Sequence, residues 1–131
     1  MITVERGGFM NLSVSMYSDK PIYEQLKEQI KKSIIQKEIK AGFQLPSVRT
    51  LSKDLQVGIV TVKRAYDDLI QEGYIISQAA RGYYVLDVNI TSVHNEYKQK
   101  IRNHINEILR LADEAKLSIS SIEKLWNEKG E

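Results

Sequence analysis

Apolar residues recur at helical spacing through the first half of the chain, beginning after Pro21. Proline suits the first position of a helix, and an apolar residue then follows at every fourth position, as on the buried face of a helix. These residues are Ile22, Leu26, Ile30 and Ile34. The spacing predicts a helix that runs to about Lys40, closes at residues 41–42 and supports the helices that follow.

Two shorter helices are predicted between Pro46 and Gly73, separated only by residues 57–58. Pro46 and Ser47 favour a helix start, because serine can accept a hydrogen bond from an N–H of the first turn. The inward positions are Val48, Leu51 and Leu55 in the first of these helices and Val62, Ala65, Tyr66 and Leu69 in the second. Gly73 suits the left-handed position that ends many helices. Helices joined this tightly cross steeply, which is typical of a helix-turn-helix whose second helix can enter the DNA major groove.

The spacing then changes from helical to extended. Residues 74–76 and 83–85 are β-prone, and a small, polar stretch separates them, so the segment predicts a two-stranded hairpin. A hairpin in this place is a wing. Its tip carries Arg81 beside Gly82, a long cation next to a residue that lets the backbone approach a phosphate closely.

The motifs of this region together resemble the winged helix-turn-helix of the GntR transcription regulators. They are LPSVR at 45–49, TVKRAY at 61–66 followed by L-x-x-x-G-Y, and RGYYV at 81–85. KPIYEQLKEQI at 20–30 resembles the opening helix of the YtrA subfamily, which has a short helical C-terminal region in place of a large effector domain. The resemblance is close over residues 18–88. It implies a mostly α fold with a small β wing, a winged helix-turn-helix DNA-binding domain.

Seven residues are candidates for contact with DNA. Ser47 suits a phosphate at the start of its helix, although capping alone explains it equally well. The resemblance places Arg49 among base- or phosphate-contacting arginines, and its planar guanidinium suits guanine O6 and N7. Thr61 and Arg64 face away from the apolar stripe of their helix, and Arg81 is expected to enter or border a minor groove. The full set is Ser47, Arg49, Thr61, Lys63, Arg64, Arg81 and Gly82.

The chain departs from the family's pattern in two places. Relatives usually carry polar residues in the turn before the TV pair, whereas this chain has Gly58, Ile59 and Val60. The side chains of Ile59 and Val60 cannot form hydrogen bonds, so they could read a thymine methyl or simply pack. In the wing, Ala80 and Tyr83 stand where relatives often have glycine and threonine.

Beyond Asp87 the apolar spacing follows the alternating steps of four and three residues of a helix-helix seam. The positions expected to dimerise are Tyr97, Ile101, Ile105, Ile108 and Ala112, with Trp126 in a last short helix. Ser120 to Glu123 matches a capping box for that helix. A long helix with one apolar stripe needs a partner, so residues 89–131 predict a helical dimerisation region. The alternative is a monomer in which these helices fold back on their own winged domain.

Residues 1–17 precede the first helix. Leu12, Val14 and Met16 alternate with serines, which favours a short strand, and a flexible arm is an equal alternative. Met10 is a candidate for the natural start of the protein. Residues 5–8 can be encoded by a purine-rich stretch of the kind that forms a bacterial ribosome-binding site.

The composition is that of an ordinary globular protein, with 42% hydrophobic and 27% charged residues. No apolar run approaches the ~18 residues that a membrane span requires, and no signal peptide opens the chain, so a cytoplasmic location without membrane contact is expected. Cysteine is absent, and the two histidines lie ten residues apart in a predicted helix. Neither a metal site nor a cofactor is therefore expected.

The net charge of +2 is weak support for nucleic-acid binding, but its distribution is informative. Residues 45–66 carry four cations and one aspartate, whereas residues 91–131 hold seven basic and seven acidic side chains. Positive charge is thus concentrated on the predicted DNA-facing helices. Lys27, Lys31 and Lys32 of the first helix could graze the phosphate backbone, but an ordinary exposed lysine face is favoured.

The sequence therefore predicts a sequence-specific DNA-binding transcription regulator, most simply a homodimeric repressor on a palindromic operator. The alternative is a winged-helix protein-interaction module without specific DNA binding. An enzyme is not expected, because the chain shows no nucleophile and base pair, phosphate loop or cofactor lysine context. A small-molecule effector could bind at a subunit or domain interface, since the short C-terminal region can hardly enclose a ~300 Å³ pocket by itself.

Overall fold

The computed structural model describes residues 2–6 and 10–128, and the chain divides into two units, residues 1–89 and 90–131. The first unit holds the strands β1 (Ile2–Arg6) and β2 (Met10–Val14), the helices α1 (Ile22–Ile35), α2 (Val48–Leu55) and α3 (Ile59–Gln71), and the strands β3 (Ile75–Gln78) and β4 (Gly82–Val85). The second unit holds α4 (Ile90–Glu114) and α5 (Ile119–Glu128). The architecture is mostly helical with small antiparallel hairpins, which confirms the predicted fold class.

The core of the first unit forms where α1 and α2 pack against α3. Its side chains come from the positions that the helical spacing predicted. The fully buried ones are Leu26, Ile30, Leu51, Leu55, Val62, Ala65, Tyr66 and Leu69. Complete burial of one aliphatic side chain of this size stabilises the fold by ~1.5–3 kcal/mol. The hydroxyl of Tyr66 also donates to the carbonyl of Pro46 at 2.8 Å, which ties the start of α2 to the middle of α3.

The C-terminal end of α1 differs from the prediction, since the helix stops more than a turn before Lys40. Lys37 adopts a left-handed φ of 59°, and the N–H of Glu38 donates back to the carbonyl of Ser33 at 2.9 Å. This is the hydrogen bond of a Schellman closure, here without glycine. The turn allows Ile39 to be only 2% exposed. Burial of this side chain offsets the strain of a left-handed lysine.

Both ends of α2 are closed by hydroxyl side chains. At the start, the N–H of Thr50 donates to Ser47 Oγ at 3.1 Å, the cap that the sequence predicts. At the end, Gln56 takes a left-handed φ of 57°, and the hydroxyl of buried Ser52 donates to the carbonyl of Val57. The short connection places α3 directly after this turn and produces the expected helix-turn-helix.

β3 and β4 form the wing, with Ile75 opposite Val85 and Gln78 opposite Gly82. Ala80, in the loop at the tip, adopts a left-handed φ of 62°, which alanine takes at a cost of about 1–2 kcal/mol. Gly82 has a φ of +114°, a region that favours glycine. The tip of the wing is therefore a tight loop with one strained residue.

Residues 42–45 run along the second edge of β4. The N–H of Gly42 donates to the carbonyl of Val85 at 2.7 Å, and the N–H of Leu45 donates to the carbonyl of Tyr83 at 2.9 Å. Gln44 forms an isolated antiparallel bridge with Tyr84. The segment that connects α1 to α2 thus fixes the wing from the side opposite β3.

The N-terminal hairpin lies on α1 through β2, whose inward apolar residues are buried. Two glutamine side chains of α1 satisfy the backbone at the edge of β2 away from β1. Gln29 accepts from the N–H of Ser13 at 3.0 Å and donates to its carbonyl at 2.6 Å. Gln25 makes the same pair of bonds with Ser15, both at 2.9 Å. Whether Met10 is the natural start stays a prediction.

In the second unit, α4 and α5 are joined by a turn at Lys116, which adopts a left-handed φ of 55°. The cap of α5 is Ser118, whose hydroxyl accepts from the N–H of Ser121 at 3.2 Å. The predicted capping box at Ser120 to Glu123 is therefore wrong, because the helix starts before it. Across the described part of the chain, α4 included, no helix is both long and apolar enough to cross a membrane.

Candidate nucleic-acid interface

The solvent-facing side of α3 carries three of the predicted DNA contacts. Lys63 and Arg64 are exposed, and Thr61 is half-buried. α3 begins at Ile59, so Ile59 and Val60 belong to its first turn and not to a separate turn before it. The exposed face of α3 therefore starts with an apolar pair and continues with two cations.

Arg64 is stacked on an aromatic ring of α1. Its guanidinium carbon lies 3.7 Å from the centroid of the Tyr23 ring. Stacking of this kind orients the guanidinium while its N–H groups still donate within the plane. The two residues lie far apart in the sequence, and no periodic pattern connects them. Tyr23 is therefore a positioning residue that sequence reasoning missed.

An ion pair within α3 holds the side chain of Lys63. Its Nζ lies 2.8 Å from Asp67 Oδ2, one turn further along the helix. This hydrogen bond, together with the negative charge of Asp67, raises the pKa of Lys63 above its ordinary value. Both side chains are exposed, so the pair is worth little and the lysine can exchange the carboxylate for a phosphate.

At the start of α2, Arg49 is exposed and Ser47 is engaged. Ser47 Oγ accepts from the N–H of Thr50 at 3.1 Å and donates to Thr50 Oγ1 at 2.9 Å. Arg49 lies in the first turn of the helix, where the side chain extends into solvent. The structure thus presents Arg49 for contact, whereas a phosphate at Ser47 would have to share a hydroxyl that already caps the helix.

In the wing, Arg81 is exposed and its backbone is held by Gln44, a residue that sequence reasoning missed. Gln44 Nε2 donates to the carbonyl of Arg81 at 2.7 Å, and the Tyr84 hydroxyl donates to the same carbonyl at 3.3 Å. A Cβ at Gly82 would lie 2.9 Å from Gln44 Nε2. Gly82 is therefore favoured by its φ, and an added Cβ would displace the flexible end of the Gln44 side chain. No periodic pattern marks a single polar residue such as Gln44 as a clamp.

Two lysines of α1 have a structural role and do not form the exposed face expected of them. The Nζ atoms of Lys31 and Lys27 lie 3.0 and 3.3 Å from the carboxylate of Glu72, at the end of α3. Lys31 is 8% exposed, and its Nζ lies 5.1 Å from the Tyr74 ring centroid. Partial burial raises the pKa of Glu72, but the hydrogen bonds and charges of Lys31 and Lys27 outweigh it and leave that pKa below its ordinary value.

The predicted dimerisation residues divide by exposure. Ala112 is buried, whereas the other five have substantial exposed surface. They are Tyr97, Ile101, Ile105, Ile108 and, at 74% exposed, Trp126. Leu109 and Leu111 of α4 are also exposed and lie outside the predicted seam. The apolar stripe of α4 is therefore wider than predicted.

The exposed cations of α2, α3 and the wing can bind a polyanion through charge and through directed N–H donors. They are Arg49, Lys53, Lys63, Arg64 and Arg81. Among residues 2–6 and 10–128, histidine, aspartate and glutamate form no group of three or more that could hold a metal ion.

The fold and this cationic surface define a winged helix-turn-helix DNA-binding protein. Residues 22–85 match the family of bacterial regulatory proteins, gntR family. The HTH-type transcriptional repressor YtrA of Bacillus subtilis is 30% identical over 98 residues, which cover 75% of this chain and 75% of YtrA. The chain belongs to the GntR family and, within it, to the YtrA-like subfamily.

Solved structures agree with this assignment. YtrA from Sulfolobus acidocaldarius, a GntR-family transcription factor, matches with a TM-score of 0.64 and 33% identity over 76% of this chain and 97% of that one. AraR(DBD) in complex with operator ORX1 matches with a TM-score of 0.50 and 29% identity over 56% of this chain and 92% of that one. Of two longer curated relatives, the chain spans only 14% and 15%. Members of the family are non-enzymatic DNA-binding regulators, as the sequence predicts for this chain.

Proposed function

We propose that this GntR-family regulator is a repressor that binds a palindromic operator as a homodimer. The observation that carries the proposal is the exposed face of α3, where Lys63 and Arg64 project away from the core. Exposed Arg49 and Arg81 add cations from α2 and the wing of the same unit. The second helix of a helix-turn-helix enters the major groove, so this face of α3 would meet base edges.

Some of these residues would position the protein on the DNA backbone, and others would select the DNA sequence. Lys63 and the backbone at Ser47 and Gly82 would contact phosphates, which hold the protein in register without reading sequence. Arg49, Arg64 and Thr61 would reach base edges in the major groove.

Arg81 at the tip of the wing would enter or border the neighbouring minor groove, where the negative potential attracts arginine. Its placement depends on the bond that Gln44 makes to its backbone carbonyl.

The apolar stripe of α4 supports a second copy of the chain as the partner. Ile101, Ile105 and Ile108 follow the steps of a helix-helix seam and are exposed. Leu109 and Leu111 lie beside this seam, at positions that are usually charged in a two-stranded coiled coil. A stripe this wide suits packing against more than one helix, so we propose that both α4 and α5 of each subunit contribute, with Trp126 as an anchor.

A symmetric dimer would recognise two half-sites related by a two-fold axis. Half-sites read by paired recognition helices are spaced by about 34–36 Å, one turn of DNA, or by multiples of it. Occupation of such a site at a promoter would exclude the polymerase and repress transcription. Because the target is promoter DNA, a cytoplasmic site of action is part of the proposal.

The test combines the mass of the purified protein in solution with titration onto DNA. The protein is titrated at two salt concentrations onto the DNA upstream of its own gene and onto random DNA of the same length. We expect a dimer that prefers the upstream DNA and whose affinity falls steeply with salt, since each neutralised phosphate releases counterions. Arg49→Ala should then weaken specific binding, and Arg110→Ala is the control for loss of one exposed arginine, because Arg110 lies on the side of α4 away from the predicted seam.

A monomer with weak, salt-insensitive and non-selective DNA binding would refute the proposal. That result would favour the winged-helix protein-interaction module. A dimer that binds DNA without sequence preference would refute the proposed operator binding but would leave the proposed dimerisation through α4 standing.

A further inference from the structure

The first turn of α3 exposes two apolar side chains where polar contacts with DNA are expected. Val60 is 80% exposed and Ile59 is 46% exposed. The sequence left open whether these residues read DNA or pack in the protein. The exposure of Val60 rules out packing within the described part of its own unit as its main role.

The stability of α3 does not account for this pair. The preceding residue, Gly58, has no side chain with which to cap the helix, and β-branched residues lose side-chain freedom in helices. Serine, threonine, aspartate or asparagine near this end would favour the helix more. A single exposed aliphatic side chain is ordinary, but the adjacent Ile59 and Val60 at the start of a recognition helix form a small apolar surface.

The surroundings of the pair indicate what could cover it. Lys63 and Arg64 follow Val60 by three and four positions, so they share its face of the helix and are exposed. An apolar spot bordered by cations is complementary to the major groove, where phosphates surround the bases and the C5-methyl of thymine is the apolar group. A protein partner would instead need a small apolar pocket for this pair, surrounded by acidic side chains.

We propose that Val60, supported by Ile59, reads the methyl group of a thymine in each operator half-site. This inference rests on the proposed function, because it requires specific DNA binding. Aliphatic side chains cannot distinguish bases by donors and acceptors. They favour thymine over cytosine only through contact with the methyl, and this makes the inference testable one methyl at a time.

The experiment first selects preferred sites from random duplex DNA with the full chain. Each thymine of the selected half-site is then replaced in turn by deoxyuridine, which removes the C5-methyl and leaves all hydrogen-bonding groups in place. At one thymine per half-site we expect the dissociation constant to rise about fourfold, the effect of one buried methyl group. The other thymines should tolerate the replacement.

Val60→Ala removes the methyl contact in both half-sites of the proposed dimer, so it should weaken binding to thymine DNA by about the square of that factor, roughly 16-fold, and remove the difference between thymine and deoxyuridine. Met16→Ala is the matched control, because Met16 is 84% exposed and lies outside α2, α3 and the wing. That variant should keep the full sensitivity to deoxyuridine. Val60 is exposed, so its replacement should leave the melting temperature unchanged, and a loss of binding cannot be ascribed to unfolding.

The outcomes separate the inference from the proposed function. If no sequence is enriched, both fail together. If a sequence is enriched but contains no thymine in the half-site, or if every deoxyuridine replacement is neutral, specific DNA binding stands and the methyl contact is overturned. The same holds if Val60→Ala retains the wild-type sensitivity.

Discussion

Gly82→Ala is predicted to disturb the wing through two separate effects. The residue has a φ of +114°, and the added Cβ would lie 2.9 Å from Gln44 Nε2. Backbone strain of this kind costs about 1–3 kcal/mol. Displacement of Gln44 also breaks its 2.7 Å bond to the carbonyl of Arg81, which contributes about 1 kcal/mol. The free energy of unfolding should therefore fall by about 2–4 kcal/mol.

A double-mutant cycle separates the two effects. Gln44→Ala alone removes the hydrogen bond and should cost about 1 kcal/mol. In that background Gly82→Ala meets no amide, so only the backbone strain remains. The double variant should be more stable than the sum of the single effects by about 1 kcal/mol, as expected for residues in contact.

The assay is urea unfolding followed by circular dichroism, with DNA affinity measured in parallel. Ala80→Gly is the control in the same loop. It relieves a left-handed alanine and should be neutral or stabilising by up to about 1 kcal/mol. Additivity of the two single variants within about 0.5 kcal/mol would refute the contact between Gln44 and Gly82. Unchanged DNA affinity in a folded Gly82→Ala protein would refute the role of the wing.

Three further perturbations follow from the contacts described. Glu72→Gln should lower stability at neutral pH by about 1 kcal/mol, because it removes a partly exposed carboxylate from Lys31 and Lys27. The pKa of Glu72 is lowered in the folded state, so its contribution is present above the ordinary pKa of glutamate and is lost as pH falls through the folded pKa. Wild type and variant should converge in acid, and a constant difference in melting temperature across that range would contradict this. Tyr23→Leu should weaken DNA binding about threefold to fivefold by loss of the stacking on Arg64, whereas Tyr23→Phe should be silent. Ile105→Asp should convert the proposed dimer to monomer in light scattering, with Asn106→Asp as the control, and an intact dimer in Ile105→Asp would exclude the seam.

The helices of the first unit were predictable because their information is local. Residues such as Leu26, Ile30 and Leu69 repeat at the helical period, and Ser47 marks the start of α2 in the way capping requires. The end of α1 was not predictable, since it depends on a left-handed Lys37 and on burial of Ile39. That burial stabilises the turn only once the core has folded.

In the candidate site, too, features encoded by local spacing were predictable and contacts between distant segments were not. The spacing along α3 correctly placed Arg64 away from the apolar stripe, whereas Thr61, expected on the same face, is half-buried. Contacts between distant segments, such as Arg64 on Tyr23 or Gln44 on the wing, have no periodic signature. The role of each candidate residue toward DNA stays a prediction until the binding experiments are made.

The two glutamines of α1 that bind β2 bear on how copies of this chain can associate. A strand edge normally offers alternating N–H and C=O groups to any passing chain, and so invites sheet extension and aggregation. Here Gln25 and Gln29 occupy those groups at Ser15 and Ser13 as an additional strand would. Another polypeptide cannot add to the hairpin along this edge without displacing both amides. The helix thus blocks a non-specific route to oligomers along this edge of the hairpin.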